Sequence, residues 1–382
     1  MRELTAKDLR NWKMIQRFQD ALAPVAAKAR LHRTFSDRRR ELDYSSYLSL
    51  FLFGLFNPVV ESMRSLCAIS GLEKVRQQVG CPKVSLGSFS EIQNVLDPDL
   101  LKQVFENLAG QTTESPKADP RLRHLNLIAQ DGSLWSALPR MAWAEYGVGS
   151  KGQAHGVRLH LRFNILKDSP DDALVSRGKD CEAQAMRQML LPGQTNVSDR
   201  YYGKDYRLFE EIDRTRAFFV FRISERAVIN TQQELPLSPA ECAAGVARHA
   251  WVRLGATEKL HTLVLRLVEV RRDGQHLLLV TNHRVEDVSA QLVSLIYRRR
   301  WSIELFFRWI KCIFGCRHFF AESATGVALQ IYLALIAALM LQLLVGQRPN
   351  KRSMELLQLY MMGWATADEV VALTQKQSAK KG

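Results

Sequence analysis

Its 382 residues carry 53 Lys and Arg against 39 Asp and Glu, a formal net charge of +14. That length suits two or three domains with a full-sized core, and that charge calls for a polyanionic partner, nucleic acid or an anionic membrane. Six scattered cysteines (Cys67, Cys81, Cys181, Cys242, Cys312 and Cys316) form no disulfide framework. They argue against a small secreted scaffold and for a reducing cytoplasm; a charged amino terminus without an apolar leader stretch agrees.

The first forty residues hold 11 Lys and Arg against 4 Asp and Glu, a basic arm leading into a region that reads as helical to about residue 110. Tyr47 to Phe56 is almost wholly apolar and stops near Asn57-Pro58, as a buried helix would. Ser88-Phe-Ser-Glu91 has the form of a capping box. Asp97-Pro98-Asp99 opens the next helix with an N-cap, a first-turn proline and an acid at the positive dipole end. A small helical module with a basic arm is a common duplex-binding design, although no helix-turn-helix can be named. Residues 110–120 are polar and proline-containing and read as a linker.

A different texture follows. Leu125 to Ala129 is a short apolar run that ends at Asp131-Gly132, a turn dipeptide. Gly156 to Leu166 alternates, with Val157, Leu159, Leu161, Phe163 and Ile165 on one face and Arg158, His160, Arg162 and Asn164 on the other, a strand with one covered face. Ala173 to Ser176 predicts a further strand and Cys181 to Leu190 a helix. Thr195 to Ser198 is a short strand running into Asp199, followed by a helix over about 204–214 and a strand over 217–223. The order predicts an α/β sheet flanked by helices. His261 to Val270 and Gln275 to Val280 are strands joined by the tight-turn signal Arg272-Asp273-Gly274, within a strand-rich stretch from 224 to about 285.

From about Asp287 the chain returns to helix. Residues 297–318 hold six basic residues against Glu304 alone. At about 100° per residue, Tyr297, Arg300, Glu304, Arg308 and Lys311 fall within roughly 80° of one helical face. Ile303, Phe306, Ile310 and Ile313 form the core face. Cations and a phenol suit phosphate; a lone carboxylate among them suits phosphate only with a metal ion between. Cys312, Cys316 and His318 have a zinc-like flavour but lack a fourth ligand and read as small thiols beside a packed helix. Gly326 to Gly346 is apolar enough for a membrane span, yet it carries Gln330 and Gln342 and stands alone in a basic chain, so it reads as a buried core helix. The tail from Gln375 is basic and reads as unstructured.

Asp131 and Asp199, each after a strand, and Glu304 on the basic helix are the carboxylates that can converge. Three oxygen ligands leave room for water and a substrate phosphate around one or two Mg²⁺ or Mn²⁺ ions. The spacing Tyr297-x2-Arg300-x3-Glu304-x6-Lys311 resembles the YREK signature of the insertion sequence 4 family of bacterial DDE transposases. Asp131-Gly132-Ser133 is similar to that family's first motif, and Asp199-Arg200-Tyr201-Tyr202 to its second, with Tyr201 where many relatives carry a small residue. Phe218 to Arg222 resembles the strand-then-Arg that follows.

The resemblance implies an RNase H-like catalytic core, a mixed sheet flanked by helices, with a β-rich insertion and an all-helical domain in front. The resemblance covers roughly residues 120–345; together with the residue patterns on either side it divides the chain into a helical DNA-binding domain (1–115), a first core part (121–223), the insertion (224–285), core helices (286–346) and a helical, basic tail (347–382). It implies that Asp131, Asp199 and Glu304 bind two catalytic ions, that Tyr297 and Arg300 contact phosphate near the transposon end, and that Lys311 contacts the terminal strand. Arg298, Arg299 and Arg308 join the DNA-binding group on charge and helical geometry. The implied function is a DNA transposase that cleaves the ends of its element at terminal inverted repeats, acts as a homodimer on DNA and transfers the 3′-hydroxyl to target DNA, off the membrane. The rival readings are a nuclease of the same fold and an inactive DNA-binding remnant.

Overall fold

A computed structural model describes residues 4–29, 42–94, 96–149, 152–256, 261–272, 274–313 and 319–379. The amino-terminal part is helical: α1 (Ala6–Leu9), α2 (Lys13–Ala29), α3 (Tyr44–Phe56), α4 (Met63–Ile69), α5 (Glu73–Val79), α6 (Leu86–Ile92) and α7 (Pro98–Gly110). Helix α3 starts where the Asp43 carboxylate accepts the Ser46 amide and is buried nearly all round. Helix α7 begins at Pro98, behind an N-cap at Asp97 that accepts the Asp99 amide. The cap at Ser88 expected from sequence is displaced: α6 begins earlier, and Ser85 accepts the Ser88 amide. The expected linker is tied down: the Ser115 amide donates to the Leu166 carbonyl and Thr112 meets Ser169.

A sheet of ten strands follows: β1 (Leu127–Ser136), β2 (Glu145–Gly149), β3 (Gly152–Asn164), β4 (Ser169–Arg177), β5 (Thr195–Ser198), β6 (Phe218–Ile223), β7 (Ile229–Glu234), β8 (Val246–Leu254), β9 (Leu265–Arg272) and β10 (Gln275–Thr281). Its central order is β4-β3-β1-β5-β6. The pairs β1/β3 and β3/β4 are antiparallel, whereas β1/β5 and β5/β6 are parallel. That is the mixed sheet of an RNase H-like core. The β-rich stretch does not stand apart from it: β10 pairs antiparallel with β6, and β9, β8 and β7 continue the same sheet outward.

Helices cover both faces. On one, α8 (Glu182–Gln188) and α9 (Tyr206–Arg214) pack Met186, Leu208, Phe209 and Ile212 against Phe219 and Phe221 of β6. A short helix, α10 (Pro239–Ala243), sits between β7 and β8. On the other face lie α11 (Ala290–Arg299), α12 (Trp301–Ile313) and α13 (Ala324–Val345), followed by α14 (Lys351–Met361) and α15 (Ala367–Ala379). Ile303, Phe306 and Ile310 are at most 1% exposed, each such burial contributing roughly 1.5–3 kcal/mol, and Phe306 packs on Phe163 of β3.

Helix α13 is the long apolar segment; 89% of its most apolar stretch is buried within the protein. Its two glutamines serve the fold: Gln342 donates to the Lys167 carbonyl and Gln330 accepts the Phe320 amide. The amino-terminal helices share this core, with α3 and α7 packed on α13. The basic tail, expected to lack structure, is helical through Ala379. Cys316 and His318 lie outside the described residues, as does the side chain of Cys312.

Candidate active site

Two expectations about the key segments change in three dimensions. Asp131-Gly132 is not a turn: β1 continues through it to Ser136, paired with β3 throughout. What ends beside Asp131 is the parallel neighbour. β5 pairs Ala129 with Val197, and Ser198 caps the ladder by donating to the Gln130 carbonyl. Continuing that register sets Asp131 level with Asp199 on adjacent parallel strands, which lie about 4.8 Å apart. Nor is the basic segment one helix. The Arg300 amide bonds to the Tyr297 carbonyl, and the Ile303 amide to Arg300, tightened i+3 contacts that separate α11 from α12. The break lets α11 pack along β5 and the β6–β10 side while α12 turns onto β1.

Period-2 alternation fixes the faces. Asp131 shares a face with Ala129, and Asp199 with Val197, both buried on the α12 side. Burial pushes the Asp131 carboxyl up to about 6; the Gly132 amide and Arg300 work against this, and Asp199 and Glu304 add to it. Glu304 is held by Arg300 at 2.5 Å. Arg300 lies 5.7 Å from the Tyr297 ring centroid. Burial disfavours its charge, but Tyr297, Glu304 and Asp131 together raise its pKa above the usual value. Tyr297 is 8% exposed, and its hydroxyl, raised by burial, feels Arg300, Arg222 and Asp199. Lys311 donates to the Leu134 carbonyl at 2.9 Å and lies over the Trp135 ring. Arg308 is exposed on α12.

Arg298 and Arg299 turn away from this group and line a separate cavity. Other residues join it that the sequence motifs included but the expected site set did not. Arg222 extends from β6 on the same face, and the Nε atoms of Arg222 and Arg300 are both buried without a hydrogen-bond partner. Its signal in the sequence is the strand-then-Arg pattern of Phe218 to Arg222, although the strand runs on to Ile223. Tyr202 is fully enclosed, its hydroxyl pushed well up by burial and by Asp131 and Asp199. Behind Gly132, on the α8 face, Glu182 pairs with Arg158. A Cβ at Gly132 would stand 2.8 Å from the Glu182 carboxyl carbon, so a side chain there would require Glu182 to shift.

The donor set is all oxygen, which suits Mg²⁺ or Mn²⁺. Among the described residues no three acidic, histidine or cysteine side chains yet stand close enough to hold one ion together. Glu304 is engaged by Arg300, and burial disfavours the charged form of Asp131 that a cation would favour.

An acid within β1 and another just past the end of the parallel strand β5, faced by arginine side chains on an RNase H-like sheet, suit phosphoryl transfer of the nuclease and recombinase kind. The family described as transposase DDE domain matches residues 123–340. A putative transposase for insertion sequence element IS4SA of Synechocystis is 34% identical over 312 residues, 80% of this chain and 82% of that protein. A probable transposase for insertion sequence element IS5377 of Geobacillus stearothermophilus is 23% identical over 278 residues, 72% of each. The piggyBac transposase synaptic complex with hairpin DNA, solved by cryo-EM, covers 94% of this chain and 82% of that chain at a TM-score of 0.47 and 9% identity, a likeness too remote to carry an argument. The chain belongs to the DDE transposases of bacterial insertion sequences. Enzymes of this family act on DNA with divalent metal ions.

Proposed function

We propose that Asp131, Asp199 and Glu304 are the catalytic carboxylates and that the protein cleaves the ends of its element and joins the freed 3′-hydroxyls to target DNA. What supports this is position: Asp131 lies on β1 beside the end of β5 that leads into Asp199, and α12, which carries Glu304, packs on β1. Bound there, one or two Mg²⁺ ions would supply Lewis-acid stabilisation of the attacking and leaving oxygens. The chain's own residues do the rest. Arg300 and Arg222, with orphaned Nε–H donors, and the Tyr297 hydroxyl hold the phosphates beside the scissile bond. Lys311, fixed by the Leu134 carbonyl, and the exposed Arg308 meet the terminal strand. A phosphate accepting from Arg300 competes with Glu304 for the guanidinium, so DNA binding releases Glu304 toward the aspartates. The ligand set is thereby completed only on substrate.

Both steps displace a phosphodiester oxygen, so one site serves water and the 3′-hydroxyl in turn. Joining two ends requires two sites, which implies a homodimer assembled on the terminal inverted repeats. The test is to incubate the purified protein and Mg²⁺ with DNA flanking the reading frame and a target plasmid. Joined products that disappear with Asp131→Asn support the reading. Nicks without joining favour a nuclease, and binding without cleavage an inactive remnant.

A further inference from the structure

The cavity lined by Arg298 and Arg299, which charge and helical geometry place in sequence with the DNA-binding group around Glu304, is a second place where charge is concentrated, away from the candidate catalytic carboxylates. It holds about 290 Å³ and brings Lys117, Arg298, Arg299 and Arg348 together with Asp119 and Asp168. Part of the group is braced: Arg348 donates to Asp168 at 3.0 Å and to the Ser302 carbonyl at 3.3 Å. Arg299 stands 3.8 Å from Asp119, which Arg121 already engages. Asp168 is held at φ 52°, a left-handed conformation uncommon outside glycine. Lys117 and Arg298 enter no ion pair among the described residues. Four cations thus face two carboxylates in an open cavity, an excess that fits one phosphodiester and its neighbour.

Its position bears on the active site. The Ile165 amide bonds to the Leu127 carbonyl, which sets the β3–β4 hairpin under the cavity at the start of β1. Asp131 lies four residues further along the strand, on the order of 13 Å at ~3.3 Å per residue. That is roughly four nucleotide rises of 3.4 Å. The junction of α11 and α12 supplies both places, Arg298 and Arg299 on one side, Arg300 and Glu304 on the other. We propose that this cavity is a DNA-backbone subsite, gripping a phosphodiester that lies away from the scissile one. The subsite stands on charge and position, independently of which acids do the chemistry.

The full-length Lys117→Ala/Arg298→Ala variant tests it, with Lys117→Glu/Arg298→Glu beside it and the unfolding midpoint checking that both fold. Binding of a 30-base-pair duplex is titrated over a range of salt. The slope of log K against log salt should shrink in magnitude by about 0.9 for each phosphate that the variant no longer neutralises, and further with charge reversal. Slopes equal to wild type in both variants would overturn the subsite. Two activity arms then identify the DNA. Slowed cleavage of end-containing DNA assigns the subsite to the element's end. Normal cleavage with slowed joining of a precut end to plasmid assigns it to target DNA. A wild-type protein that binds but never cleaves, while the slope still falls, would remove the catalytic reading and leave the subsite standing.

Discussion

Gly203→Ala adds one methyl group at the place where the Asp199 turn meets the sheet. Gly203 lies in the single turn Tyr202–Lys204, and its amide donates to the Asp199 carbonyl. A Cβ there would stand 2.1 Å from the Arg222 carbonyl oxygen and 3.3 Å from the Ile223 Cα. Both are β6 backbone and cannot swing aside. Reaching ordinary contact requires a shift of about 1.3 Å, which falls on the turn because Arg222 and Ile223 are held in the ladder with β10. Such overpacking costs about 1–3 kcal/mol, and loosening Tyr202, 2% exposed, adds to it. Asp199 moves with the turn, and a misplacement of about 1 Å at a reacting centre costs roughly 100-fold in rate. Equilibrium urea unfolding and metal-dependent DNA cleavage, at a temperature where the variant is folded, read the two effects separately. Gly110→Ala is the control: nothing lies within 4 Å of its added methyl, and an alanine in that helix is neutral or stabilising by up to about 1 kcal/mol. Full activity per folded molecule in Gly203→Ala would refute the catalytic placement of Asp199. Unchanged stability would refute the packing argument.

Asp131 makes a pH prediction in metal-free buffer. Its carboxyl keeps a proton to about 6 in the folded chain but only to about 3.9 when unfolded. The folded state therefore binds more protons at this group over that window, and the stability contributed by Asp131 falls as pH rises from about 4 through 6, against the opposite trend from the buried His160, His249 and His283. The difference is at most roughly 3 kcal/mol, less for the solvent contact that Asp131 retains. Asp131→Asn should match wild type at pH 4, exceed it in stability at pH 8, and cleave nothing; a stability difference between the two proteins that stays constant from pH 4 to 8 contradicts the burial argument. Mg²⁺ should recover the missing stability in wild type and not in the variant. Arg300→Ala should weaken DNA binding yet tighten Mn²⁺ binding without DNA, because Glu304 is freed, as titration calorimetry would read. Equal Mn²⁺ affinity in the two proteins would show that Arg300 does not hold Glu304 back.

Much of this molecule is written locally. The alternation of Val157 to Ile165, the short run from Thr195 to Ser198 and the Arg272 to Gly274 turn each specify a strand or hairpin through neighbours two residues apart, and the strands form there. The buried nature of Ala324–Val345 follows likewise from its glutamines and surroundings, because an apolar helix in a basic chain finds its partners within the fold. The adjacency of Tyr297, Arg300 and Glu304 is a matter of spacing, readable without coordinates, whereas Lys311 lies apart on the Leu134 carbonyl.

Other features depend on what packs from a distance. Asp131-Gly132 resembles a turn until β3 pairs across it, and periodicity carries no information about where the parallel neighbour stops. Arg158, His160 and Arg162 read as a solvated face. The α8 layer covers them, and Arg162 is 2% exposed, bonded to the Met189 carbonyl and to Gln194. The tightened bonds at Arg300 send Arg298 and Arg299 to a cavity that the helical wheel of a single straight helix would not assign to them. One-dimensional pattern records which side chains share a face. Which face meets which layer is decided by contacts between residues far apart in the chain, and those contacts exist only once the sheet and its helices have closed on a common core.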